Sequence, residues 1–240
     1  MTFQSELPQQ ETISCTQIPT ISIQTAWWAT IKPEQAKLTG RSYDIAKRAL
    51  DITLVTFSLP LLLPLLFVIA LCIKLDSPRG SIIFKQQRTG HHGHRFAMYK
   101  FRTMVHNAES LKKDLQHLNE LTWPDFKITN DPRITRVGRF LRRSSLDELP
   151  QLINVLLGNM SLVGPRPTSF AADTYEPHHL QRLDVKPGLT GLWQIIGRAS
   201  MEFDDRVALD IAYIERRSLS FDVKILFFTV FAVWQQKGAC

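Results

Sequence analysis

Two adjacent carboxylates, Asp147 and Glu148, stand in the stretch RRSSLDELPQLINVLLGNMSLVGPRP, between a run of arginines and an apolar segment. Their spacing allows two readings. In the first, Ser145 and Glu148 form a capping box, each side chain satisfying the other's backbone donor. Asp147 then merely complements the positive end of the helix. Such a cap stabilises by about 1 kcal/mol and implies no chemistry. Pro150 fits a helix starting at Ser145 badly, because a fifth helical residue should donate its N–H. A cap at Asp147 removes the conflict, since Pro150 then falls in the first turn, where donors are orphaned anyway. In the second reading, the same helix N-terminus favours an ionised carboxylate and attracts anions. An ionised Asp147 can act as a nucleophile or hold a hard cation such as Mg2+. Arg133, Arg136, Arg139, Arg142 and Arg143 would neutralise phosphates there, or simply solvate a helix face. Spacing alone leaves both readings open.

Other cations repeat the ambiguity. Arg166 sits between Pro165 and Pro167, whose fixed backbone angles stiffen the turn and suit it to hold a phosphate fork; a rigid surface turn is the plain alternative. KFRT (Lys100 to Thr103) and QRTG (Gln87 to Gly90) put cations beside turns, where lipid headgroups are the competing partners. His91, His92 and His94 have no carboxylate or thiolate close in sequence and read as loop residues.

The elements that must position these groups begin with DITLVTFSLPLLLPLLFVIALCIKLDSPRG. Its uncharged run from Ile52 to Ile73, about 22 residues, is long enough to cross a bilayer as a helix. Pro60 and Pro64 fall inside it, each removing a backbone donor and inviting a kink. Both flanks are basic: Arg41, Lys47 and Arg48 before, then Lys74, Arg79, Lys85 and Arg88 after. A spanning helix should show asymmetry. Symmetric flanks predict a broken, re-entrant helix with both ends on the cytoplasmic side.

Beyond Ser81, SIIFKQQRTG and HRFAMYKFRTM predict short strands, and Val105 to Leu121 predicts a helix. Asn130 or Asp131 is expected to cap a further helix with Pro132 at its first position. Leu149, Leu152, Ile153 and Leu156 give the next helix an apolar face, which Gly158 is placed to end. Phe203 to Arg217 predicts a charged helix. FDVKILFFTVFAVWQQ suits either a helix in the membrane interface or a buried one. In residues 1–40 no period persists, and Trp27-Trp28 reads as a membrane-interface mark or as scattered apolar residues.

The totals set the frame. The chain has 240 residues, 44% of them hydrophobic and 21% charged, enough for a packed core. A net charge of +7 and a pI near 9.5 point to anionic partners: nucleic acid, phosphorylated small molecules or an anionic membrane face. The apolar segment and the lack of a groove-reading element argue against nucleic acid, which stays a competing reading. Cys15, Cys72 and Cys240 lack metal-ligand or disulfide spacing, which fits a reducing compartment. No signal peptide is read in the polar N-terminal residues.

In order along the chain stand KRALD, the apolar run, DSPRGSIIFKQQRTG, YKFRTM, NDPRITRVGRFLRRSSLDELPQLINVLLGNMSLVGPRP, KPGLTGLWQIIGR and DRVALDIAYIERRSLSFDVKILFFT. From about residue 41 onward this set resembles the bacterial sugar transferases, the monotopic polyprenyl-phosphate phosphoglycosyl transferase family. The resemblance implies transfer of a sugar 1-phosphate from a UDP-sugar to undecaprenyl phosphate, with release of UMP. That is the step which starts an exopolysaccharide, capsule or O-antigen unit. It implies Asp147 as the nucleophile, leaving a phosphosugar-aspartate, and Glu148 as its partner at the metal or in the attack of the lipid phosphate. Mg2+, held by Asp147 with Glu148, is the implied cofactor. Pro165, Arg166 and Pro167 are implied to line the nucleotide-phosphate site, while Lys100, Arg102, Arg198 and Asp210 match family positions assigned to it more loosely.

The architecture implied is an α+β membrane-associated, monotopic domain: mostly helical, with one re-entrant membrane helix over about residues 46–75, interfacial amphipathic helices and a small β element. Residues 1–40 would be a poorly ordered tail and residues 41–240 the phosphoglycosyl transferase catalytic domain, with its cytoplasmic part at 76–240. The implied location is the cytoplasmic face of the bacterial inner membrane, with membrane lipid as partner and a homodimer left open. Two positions depart from the family pattern. Leu63-Pro64 stands where Ser-Pro is usual, so a freed backbone group needs another partner, for which Ser58 and Thr56 are candidates. Asn159 stands where an Asp is common. A catalytically silent scaffold of the same fold is the competing reading, and the intact Asp147-Glu148 pair argues against it.

Overall fold

The computed structural model describes residues 23–31, 38–120, 128, 130–196 and 201–234. A long uncharged run rich in leucine propagates one helix, α1 (Gly40–Asp76), of 37 residues. It is long and apolar enough to cross a membrane. Its buried side chains, Tyr43, Asp51, Val55, Ile69 and Ile73, recur at helical spacing along one face. The remaining circumference exposes Phe57, Leu61, Leu63, Phe67, Leu71 and Leu75, a surface suited to lipid. Pro60 and Pro64 both lie inside α1, which is helical on either side of each. The expected break is therefore not a gap in helical structure. Ser58 donates its hydroxyl to the Val55 carbonyl at 2.8 Å, not to the carbonyls of Thr56 and Pro60 that the two prolines deprive of their usual donors.

Both ends of α1 bond to the same polar domain. Near its start, Asp51 accepts from the Leu162 N–H at 3.2 Å, and Arg48 donates to the C-terminal carbonyls of α3 (Gln151–Leu157), with Leu156 at 2.8 Å. At its other end, Asp76 accepts from the Val137 N–H at 3.1 Å, an otherwise orphaned donor in the first turn of α2 (Arg136–Ser144). Ile69 and Ile73 pack with Phe101 and Leu141.

The two runs read as short strands are strands, and they pair with each other. Strands β1 (Ile83–Thr89) and β2 (Arg95–Phe101) form an antiparallel hairpin, Ile83 opposite Phe101 and Thr89 opposite Arg95. A second small sheet pairs β3 (Ser161–Val163) in parallel with β4 (Gly188–Thr190). The chains beside it touch closely: a Cβ on Gly188 would lie 2.1 Å from the Gly164 nitrogen. Helices α4 (Leu192–Ile196), α5 (Phe203–Arg216) and α6 (Leu219–Trp234) follow, and α5 agrees with expectation to one residue. The domain is thus mostly helical with two small sheets.

Several expectations are corrected. Val105 to Leu121 is not one helix; among its described residues are two short 3-10 turns, Ser110–Lys112 and Gln116–Leu118. The cap of α2 is Thr135, whose hydroxyl accepts from the Gly138 N–H at 3.0 Å. Asp131 is unavailable for capping because Arg133 engages its carboxylate at 2.6 Å. Within the stretch read as a tail, Ile23–Thr30 is a 3-10 helix with Trp28 in the core and Trp27 against Phe221 and Phe228. Residues 1–22 and 32–37 lie outside the described residues. Helix α6 answers both readings of its sequence: Phe221 and Ile225 are fully buried, whereas Val223, Phe227, Val230 and Phe231 are exposed.

Candidate active site

The carboxylate pair lies on a reversal between two helices. Helix α2 ends at Ser144, and Ser145 takes the left-handed conformation (φ 58°, ψ 14°). A residue other than glycine holds that conformation at a cost on the order of 1–3 kcal/mol, often at functional sites. The 3-10 turn Leu146–Glu148 follows, and α3 begins after Pro150, whose missing N–H is no loss at a helix start. The capping box does not form: Ser145 makes no side-chain cap bond, and the Glu148 carboxylate is bound elsewhere.

Lys100, on β2, donates to Glu148 Oε1 at 2.8 Å. Arg166 forks onto the same carboxylate, Nη1 donating to Oε2 at 3.1 Å and Nη2 to Oε1. Burial alone would raise the Glu148 carboxyl, but Arg166 and Lys100 outweigh it and hold the group far below the usual carboxylate range. Asp147 is in the opposite state. It is 8% exposed, and among the described residues no donor reaches its carboxylate in a hydrogen bond or ion pair. Burial pushes its carboxyl up, Lys100 pulls it down, and the neighbouring Glu148 charge pushes it up again, for a net rise. One carboxylate is locked and ionised; the other has no bonded partner among the described residues.

Bonds to its main-chain carbonyls fix the PRP turn. The Pro165 carbonyl accepts from the Gly188 N–H at 2.9 Å, the Arg166 carbonyl from Arg182 Nη2 at 2.9 Å, and the Pro167 carbonyl from Arg88 Nη1 at 3.2 Å. Arg182 Nη2 also donates to Asp210 Oδ2 at 2.6 Å. Burial pushes the Asp210 carboxyl up to about 6 despite that partner. Burial, reinforced by Arg166, draws Arg88 down to about 10. Arg142 donates to the Thr103 hydroxyl at 2.9 Å and lies within electrostatic reach of Asp147. Lys100, Arg166, Arg88 and Arg142 thus outnumber the two carboxylates, leaving positive charge for a polyanion. Thr89, Gly90, Arg166, Tyr175 and Arg182 line a small open cleft beside them.

The structure brings Lys100, Glu148 and Arg166 into contact, with Asp147 adjacent, Pro165 and Pro167 shaping the turn and Asp210 behind it. Arg102 does not join them: its guanidinium is bound to the carbonyls of Ser77 and Arg79 and closes the turn after α1. Arg198 lies outside the described residues. The expectation that Glu148 shares a metal with Asp147 meets a carboxylate already bonded by two cations. Sequence reasoning missed Arg182, which HHLQRLDV marks by no pattern. It also missed His178, His179 and Asp204, which converge. Because His179 Nδ1 accepts from the Glu176 N–H, its Nε2 carries the proton that it donates to Asp204 at 2.8 Å. That is the wrong tautomer for ligating a metal.

Fold and site together define a class: an apolar-helix domain whose carboxylate pair, one member buried and one half-buried, is set among cations suited to phosphates. The chain belongs to the bacterial sugar transferase family, whose model matches residues 42–236. It is 46% identical to the galactosyl transferase CpsE of Streptococcus agalactiae, over 82% of this chain and 44% of that protein. It is 44% identical to the undecaprenyl-phosphate galactose phosphotransferase of Salmonella typhimurium, over 85% of this chain and 44% of that protein. Thus the chain spans less than half the length of these two relatives. The exopolysaccharide production protein ExoY of Rhizobium meliloti is 38% identical over 86% of this chain, and 93% of ExoY is covered.

Proposed function

We propose that this chain transfers a sugar 1-phosphate from a UDP-sugar to undecaprenyl phosphate through a covalent intermediate on Asp147. The contrast between the free Asp147 and the doubly bound Glu148 carries this reading. An Asp147 oxygen attacks the sugar-linked phosphorus, forming a P–O bond as the bond to the bridging oxygen breaks. UMP leaves with that electron pair. An oxygen of the lipid phosphate then attacks the same phosphorus and displaces the Asp147 carboxylate. A covalent intermediate lets a water-soluble donor and a lipid acceptor use one site in turn.

The other residues hold charge and geometry. Glu148 keeps Lys100 and Arg166 in fixed positions, where they offset the negative charge that gathers when a carboxylate approaches a diphosphate. Burial keeps water from Asp147, which matters because water would hydrolyse the intermediate. The Asp147 carboxylate, without a donor among the described residues, fits Mg2+, a hard cation that binds through one or two carboxylates and substrate phosphates. Mg2+ would neutralise part of the diphosphate charge. Glu148, bonded to both Lys100 and Arg166, acts first as a positioning group for the cations.

Attachment at both ends of α1 supports a monotopic placement at the cytoplasmic face of the bacterial membrane. A crossing helix would interpose about 30 Å of hydrocarbon between its ends, yet Asp51 and Asp76 bond to one polar domain. Relatives bear names that specify galactose or glucose transfer to undecaprenyl phosphate, and one is named for exopolysaccharide production. UDP-galactose and UDP-glucose are therefore the first donors to try, and the reaction would start a polysaccharide repeat unit. The test is UMP release by the lipid-solubilised protein with Mg2+, with and without undecaprenyl phosphate. Multiple turnovers that need the lipid support the reading; no release with any UDP-sugar overturns it.

A further inference from the structure

We propose that Arg182 and Asp210 are positioning residues that set the Arg166 guanidinium through the main chain of the PRP turn. This rests on the transferase reading. Arg182 and Asp210 are 4% and 1% exposed. Arg182 Nη2 bridges two acceptors, Asp210 Oδ2 at 2.6 Å and the Arg166 carbonyl at 2.9 Å. Its Nη1 is buried with no acceptor among the described residues, and its guanidinium lies over the Phe203 ring at 5.6 Å.

A buried guanidinium loses much of its hydration, and a buried ion pair is weak evidence for a purely stabilising role. Here the pair ends on one peptide carbonyl, that of the residue whose side chain holds Glu148. Prolines on both sides already restrict the backbone, and Gly188 and Arg88 hold the carbonyls before and after. With Arg182 in place, three successive carbonyls are fixed, and the Arg166 side chain leaves a rigid turn. Asp210, on α5, in turn orients the planar guanidinium that reaches the turn. Lysine at 182 would keep the charge without the planar fork.

The experiment uses the full chain in lipid with Arg182→Lys and Asp210→Asn, scored in two ways. The first is hydrogen exchange of the 164–168 peptide at matched melting temperature, which needs no turnover. The second is steady-state UMP release across pH. Faster exchange at 164–168 in Arg182→Lys is expected, with kcat/KM for the UDP-sugar lowered on the order of 10- to 100-fold, chiefly through KM. Asp210 faces Arg182 across the contact and Arg206 on its own helix. In the wild type, donor KM should rise as pH falls through about 6 and Asp210 takes up a proton; Asp210→Asn should lose that limb. Unchanged exchange at 164–168 together with a wild-type pH profile in both variants would overturn the proposal. Wild-type protein that releases no UMP would instead sink the parent reading, while the exchange result still scores the positioning role.

Discussion

Asp147 and Glu148 are neighbours in sequence and opposites in circumstance: Glu148 accepts from Lys100 and Arg166, while Asp147 accepts from no described residue. The first prediction follows from the locked member. Glu148→Gln leaves two largely buried cations without their counter-charge. The fold should lose stability, by less than the roughly 3–5 kcal/mol that breaking a fully buried pair from one side costs, because all three side chains keep some solvent contact. Thermal melting measures this. Donor binding should weaken as well, because Lys100 and Arg166 lose their fixed positions.

Stability against pH should carry the same signature. The Glu148 carboxyl lies below its unfolded value in the native state, so its contribution is present above about pH 4.3 and lost as pH falls below it. Denaturant melts of wild type and Glu148→Gln should differ at neutral pH and converge under acid. A difference that persists at low pH would contradict the ionised pairing.

Activity should follow the other carboxylate. The nucleophile must be ionised, and the Asp147 carboxyl is raised. Its acid limb in kcat should therefore lie above the ordinary Asp value of about 3.9. Rapid-quench measurement of the UMP burst isolates this step. A limb at or below that value would show that lipid or ligand relieves the burial.

A glycine in α2 tests how the pair is positioned. A Cβ on Gly138 would stand 2.0 Å from the Thr103 carbonyl, so Gly138→Ala forces α2 off the end of β2. Overpacking of this kind costs about 1–3 kcal/mol. Because α2 leads into Ser145 and the pair, UMP release should fall more than the melting temperature alone accounts for.

Membrane placement predicts a labelling pattern. In a chain whose native cysteines are replaced, Thr39→Cys before α1 and Arg143→Cys near the pair should both react only from the cytoplasmic side. Reaction of Thr39→Cys from the outside alone would make α1 a spanning helix.

Much of this was legible where local pattern decides. The uncharged run specified α1, alternation marked β1 and β2 as strands though not their pairing, and Gly158 marked the end of α3 with φ 84°. The site was half legible. Asp147, Glu148 and Arg166 stand out by type and spacing, but the capping box failed because Lys100 and Arg166, distant in sequence, take the Glu148 carboxylate, while the Ser145 N–H donates to the Arg142 carbonyl at the end of α2. Asp131 likewise follows a side-chain partner, Arg133, over a capping role. Arg182 and Asp210 were not legible as a pair, since only tertiary packing brings the 177–183 turn onto α5.

The central claim is the covalent role of Asp147, and the most direct measurement is peptide mass spectrometry of the protein after incubation with a UDP-sugar and Mg2+ and no lipid acceptor. A sugar phosphate on the peptide bearing Asp147 is predicted, formed with one equivalent of UMP, removed by undecaprenyl phosphate and absent in folded Asp147→Asn. Lipid-dependent turnover with no adduct, or retained activity in Asp147→Asn, would contradict it.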